Sequence, residues 1–93
     1  MRKSTHTGEY AALRDHLASL RSAAGLSQRQ LAAKLNVPHS WVAKVESGER
    51  RLDLIEFAWF SRACGQDPAN AARDFFKAAR QPRKASTPNG GRQ

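Results

Sequence analysis

From Glu9 to Ala24 the apolar residues Leu13, Leu17, Leu20 and Ala24 recur at three- and four-residue spacing, the stripe of an amphipathic helix. Gly25 stops it, as glycine does just past a helix C-terminus. Ser27 followed by Gln30 matches a capping box and starts a second helix, with Leu31, Ala32 and Leu35 on its inner face. Only Asn36, Val37 and Pro38 separate this run from the next. Asn36 enters a left-handed conformation more cheaply than most residues, and Pro38 pushes Val37 out of the helical region. A third helix is expected from about His39 to Ser47, burying Val42 and Val45, with Gly48 as its stop.

After the basic "ERR", Asp53 caps a fourth helix to Cys64, in which Leu54, Phe57, Ser61 and Cys64 share one face. Gly65 closes it. Asp67 as cap and Pro68 at the first helical position begin a fifth helix, to about Arg80, carrying Ala72, Phe75, Phe76 and Ala79. No strand pattern or internal repeat is present. The pattern predicts an all-α, five-helix domain over residues 9–80, preceded by a flexible basic arm over 1–8. Residues 81–93 hold two prolines, two glycines and no large apolar side chain, so they read as a disordered basic tail.

Two short helices joined by a tight turn make a helix-turn-helix, whose second helix enters the major groove of DNA while the first lies across the backbone. Leu31, Leu35, Val37, Val42 and Val45 would lock the pair to the rest of the domain, with Ala32 small where the two helices approach. The outward face of the third helix is left with His39, Ser40, Ala43 and Lys44.

Charge sharpens this reading. The 93 residues carry sixteen Lys and Arg against eight Asp and Glu, a net +8, which favours a polyanionic partner. Residues 9–80 hold eleven of the basic and all eight acidic groups, so five of the excess charges fall on the arm and tail. The lone Cys64 has no intramolecular disulfide partner and suits a reducing cytosol. With no apolar leader and no membrane-length apolar run, the chain is expected in the cytoplasm, with no membrane partner. Enzyme readings fail on inventory. There is no Cys or His pair at metal-ligand spacing, no glycine-rich phosphate loop and no grouping of acid and base. His6, His16 and His39 fall on the arm, the first helix and the third helix, so no metal, cofactor or catalytic residue is expected.

The stretch "LRSAAGLSQRQLAAKLNVPHSWVAKVESGERRLDLIEF", Leu20 to Phe57, resembles the lambda-repressor-like (XRE-type) helix-turn-helix family. The resemblance rests on "GLSQ…LA…L", on "VESGER" and on the spacing of the five helices, and it covers roughly Tyr10 to Arg80. It implies a protein that binds operator DNA, usually as a symmetric dimer, and regulates transcription. Gln28 would bond a phosphate at the start of the second helix, with Arg29 beside it. His39, Ser40 and Lys44 would face base edges, with Trp41 packing on sugar–phosphate or a thymine methyl. Arg50 and Arg51 would grip the backbone beyond the recognition helix. Arg21 and Glu46 match a pair that joins the first helix to the third, the Arg also approaching phosphate. The chain departs from the family at Asn36, where glycine is common, and at Pro38, where Ser or Thr often caps the third helix. Without that hydroxyl, His39 and Ser40 both stay candidates for the main base reader.

Plainer readings stand beside these. Arg29, Lys34, Arg50 and Arg51 could form a solvated face, and Trp41 could pack on the domain's own loop. Ile55 and Trp59 lie off the core face of the fourth helix, either against the fifth helix or in a dimer interface with Phe76 and Ala79. Cys64 reads as small core filler. The expected function is a sequence-specific, double-stranded DNA-binding repressor acting as a homodimer on a near-palindromic operator. Two alternatives stay open: an antitoxin whose C-terminal tail wraps a protein partner, and a controller protein of a restriction–modification system or mobile element.

Overall fold

A computed structural model describes residues 7–86, with side chains as far as Ala79. Its elements are five helices: α1 Gly8–Ala23, α2 Gln28–Leu35, α3 His39–Ser47, α4 Leu54–Ala63 and α5 Pro68–Ser86. Most starts have the expected chemistry. Ser27 with Gln30, and Asp53 with Glu56, form reciprocal capping boxes at α2 and α4. Thr7 caps α1, and Asp67 accepts from the Asn70 amide at 3.1 Å to cap α5. Pro38 stands at the N-cap of α3 with no side-chain hydrogen bond, as its chemistry requires.

The α2–α3 turn rests on Asn36, at φ 60° and ψ 46° the lone non-glycine residue with positive φ among the described residues. Its amide donates to Ala33 O and that of Val37 donates to Ala32 O, at 3.2 and 3.0 Å, the paired bonds of a Schellman motif. The same two-bond pattern closes α1 at Gly25 and α4 at Gly65. The sharp angle between α2 and α3 is therefore an ordinary helix stop, followed at once by a residue that Pro38 holds extended.

The core lies where α1, α2, α3 and α4 meet, with α5 laid across α1 and α4. Leu17, Leu31, Val42, Val45 and Phe60 are fully buried. Each such side chain contributes about 1.5–3 kcal/mol relative to exposure. Tyr10 is buried too, and its hydroxyl accepts from the Leu52 amide at 2.9 Å, tying α1 to the loop before α4.

Several expectations need correction. Leu54, placed on the core face of α4, is 78% exposed; Phe60 fills that position beside Phe57, Ser61 and Cys64. Ser61 is on the core face as expected, fully buried, with its hydroxyl donating to Phe57 O at 2.8 Å. On α5, Ala71 is fully buried while Phe76 is largely exposed. Ala24, counted in the first stripe, is exposed. The fifth helix does not end near Arg80: it runs to Ser86, through Pro82, although the missing amide there leaves Ala78 O without its usual donor. The first six residues of that tail are thus helical backbone, and 87–93 lie outside the described residues, as do 1–6 of the arm.

Candidate nucleic-acid interface

The inner face of α3 is anchored by Val42 and Val45, which leaves His39, Ser40, Lys44 and Ser47 exposed and Ala43 half-buried. At 100° per residue these positions make one outward row. Among the described residues, the side chains of His39, Ser40 and Lys44 make no hydrogen bond or ion pair, and Ser47 Oγ donates to the Lys44 carbonyl at 3.1 Å. The three groups proposed to read bases stand in solvent and ready for an external partner.

The row is held from behind by Glu46. Arg21 grips its carboxylate with two parallel bonds, Nε to Oε2 at 2.7 Å and Nη2 to Oε1 at 3.0 Å. A further donor, Arg21 Nη1, reaches Leu26 O at 2.8 Å. Gln28 Nε2 adds a bond to Glu46 Oε1 at 2.9 Å, so three side chains from α1, α2 and α3 meet at one point. The Glu46 hydrogen bonds raise the Arg21 pKa above its ordinary value, against the opposing pull of burial.

From the other end, Arg14 Nη1 donates to Ser47 O at 3.3 Å, placing a cation at the C-terminus of α3. The Arg14 chain also packs over Gly48, where an added Cβ would meet Arg14 Cδ at 3.0 Å; with φ 89°, that position requires glycine. The arrangement offsets the cap that Pro38 cannot supply: α3 is fixed by its C-terminus and by Glu46.

The remaining expected residues divide. Arg29 is exposed in the first turn of α2, beside the free amides of that N-terminus. Gln28 is half-buried and engaged with Glu46 through its amide nitrogen. Arg51 is exposed, its guanidinium 4.9 Å from the Tyr10 ring. Arg50, its side chain 40% exposed, donates to Glu56 Oε2 at 2.6 Å and lies 5.4 Å from the Trp41 ring centroid. Trp41 itself is half-buried and packs against the core cluster.

Ile55 and Trp59 are 59% and 50% exposed on α4, and Phe76 is 66% exposed on α5. Ala79, expected beside Phe76 at an interface, is buried inside the chain and offers almost no surface. Sequence reasoning missed Leu54 in this apolar group, and missed Tyr10, Arg14 and Glu56 as the supports of α3 and its following loop. Of these, only Glu56 had a signal, the acidic residue three positions after the Asp53 cap. Burial pushes the Cys64 thiol up from its ordinary value, in keeping with a packing role. Among the described residues no helix is long and apolar enough to cross a membrane.

Comparison with known proteins bears on the same residues. A family described as a helix-turn-helix domain matches residues 12–73. A solved structure, an XRE-family like protein from Pseudomonas syringae pv. tomato str. DC3000, is 46% identical, and the match covers 82% of this chain and 93% of that one with a TM-score of 0.74. No curated protein matches. With the matched segment spanning α2, the Asn36 turn and α3, the chain belongs to the XRE-type helix-turn-helix family.

Proposed function

We propose that the protein is a sequence-specific regulator of transcription that binds double-stranded DNA as a symmetric dimer and acts as a repressor. The observation that carries this reading is the exposed, unpartnered row of His39, Ser40 and Lys44 on a helix whose opposite face is buried. Lys44 donates to guanine O6 and N7, while His39 and Ser40 meet the neighbouring base edges. Arg29, Arg51 and the N-terminus of α2 with Gln28 take the phosphates, and Trp41 borders the groove. Arg21 acts mainly through Glu46, holding α3 at its depth.

Dimerisation accounts for the exposed Ile55, Trp59 and Phe76, which would otherwise be a solubility liability on so small a domain. A two-fold axis through this face sets the recognition helices about 34 Å apart, one turn of DNA. The site acts in the cytoplasm on chromosomal DNA and uses no cofactor. The antitoxin and controller-protein readings draw support from no residue of this surface.

The test is recovery of genomic fragments by the purified full chain at near-physiological salt, followed by sequencing. A small set of regions sharing a near-palindrome is the expected result. Uniform recovery that disappears on adding salt would leave only the basic charge at work and reject the proposal.

A further inference from the structure

Arg50 was expected to neutralise a phosphate, but its surroundings suit another role. Its Nη2 is bonded to Glu56 Oε2, its guanidinium faces the Trp41 ring, and its backbone amide donates to Lys44 O at 3.1 Å. Its Nε is shut off from solvent with no acceptor, so that edge of the group cannot reach an external anion. Glu56 is committed at both oxygens, Oε2 to Arg50 and Oε1 to the Asp53 amide at 3.0 Å, while its own amide donates to Asp53 Oδ1 at 2.8 Å. The chain of contacts is continuous: the N-cap of α4, Glu56, Arg50, and Trp41 in the first turn of α3. Trp41 directly follows Ser40 and precedes Lys44 by three residues, among the proposed base readers. Moving Arg50 onto a phosphate would strip Glu56, whose side chain is only 14% exposed, of its charge partner.

We infer that Arg50 is a positioning residue: clamped by Glu56 and stacked on Trp41, it fixes the attitude of the recognition helix and thereby its base preference, and it is not a phosphate contact. The inference rests on the proposal that α3 reads DNA. A planar guanidinium is needed because it stacks and forks at once, which an ammonium does not. With the Arg50 side of the pair 40% exposed, the bond adds little to stability while both partners stay in place, so its consequence lies in orientation.

Two variants separate the roles. Glu56→Gln keeps a carbonyl oxygen for the Asp53 amide, so the capping box survives, but it loses the charge that holds Arg50. Arg50→Lys keeps the charge and loses the planar stack. Affinities of wild type, both variants and Arg50→Ala are measured on the preferred duplex and on a scrambled duplex over a range of salt, with thermal midpoints recorded beside them.

The clamp is supported if both variants lose roughly three- to tenfold on the preferred duplex, the scale of one partly exposed ion pair, with little change on the scrambled one. Salt slopes and thermal midpoints should stay close to wild type. It is overturned if Arg50→Lys binds like wild type, if Glu56→Gln tightens binding by freeing Arg50, or if Arg50→Ala lowers the salt slope by about one unit, the signature of a lost phosphate contact. A wild type with no preferred duplex would instead remove the DNA-reading proposal beneath it.

Discussion

Glu46 accepts three hydrogen bonds from two side chains and is 7% exposed, so its charge depends on those donors. Arg21→Ala would leave a nearly buried carboxylate with one neutral donor, at a cost of about 2–3 kcal/mol, below the fully buried case because Arg21 retains some exposure. For a domain of this size that lowers the melting midpoint by roughly 10–15 °C, and the same change should weaken DNA binding. Thermal unfolding followed by circular dichroism checks it; a midpoint shift under about 2 °C would deny Arg21 its structural part. At this scale residue type and position were readable, since the Arg21–Glu46 pairing and the exposed His39, Ser40 and Lys44 stand where the resemblance placed them. Partnerships were not. Gln28 and Glu46 are 18 residues apart, and nothing in linear spacing says that an amide will turn from phosphate to carboxylate.

The helix-turn-helix depends on an Asn36 that tolerates φ 60° without being glycine. Asn36→Ala should cost about 1 kcal/mol, the left-handed penalty of an ordinary side chain, while Asn36→Gly should stay within about 0.5 kcal/mol of wild type as lower steric cost and greater unfolded entropy offset each other. Urea unfolding of the two variants measures both, and equal losses would show that the turn does not depend on its backbone conformation. Element starts and stops were legible throughout because caps and Schellman residues are local chemistry. The faces of α4 were not: Leu54, Ile55, Phe57, Ala58, Trp59 and Phe60 make it apolar on nearly every side, so packing alone chose Phe60 over Leu54. The end of α5 was missed for the opposite reason, a strong local signal at Pro82 that the backbone passes through.

For the whole molecule, two faces divide the work. The outward row of α3 with the start of α2 is basic and polar; Leu54, Ile55, Trp59 and Phe76 form the apolar group on α4 and α5. If that group is the dimer face, Trp59→Glu should convert the protein to monomer in sedimentation velocity while leaving its helical content intact. It should also weaken binding to a two-half-site duplex far more than to a single half-site. A wild type that sediments as a monomer at all concentrations, with Trp59→Glu indistinguishable from it, would assign the patch elsewhere.

The central claim is that α3 reads bases, and it is tested most directly by selecting duplexes from a random library in parallel with wild type, Lys44→Ala and Arg29→Ala. Wild type should recover a near-palindrome. Lys44→Ala should recover the same motif with the preference for guanine lost at one symmetric position, a discrimination of about 1–3 kcal/mol. Arg29→Ala should recover the wild-type motif unaltered, with lower affinity for every duplex. The account is contradicted if Lys44→Ala loses affinity uniformly with its motif unchanged, because Lys44 would then be one more phosphate contact and the exposed row of α3 would not be reading sequence.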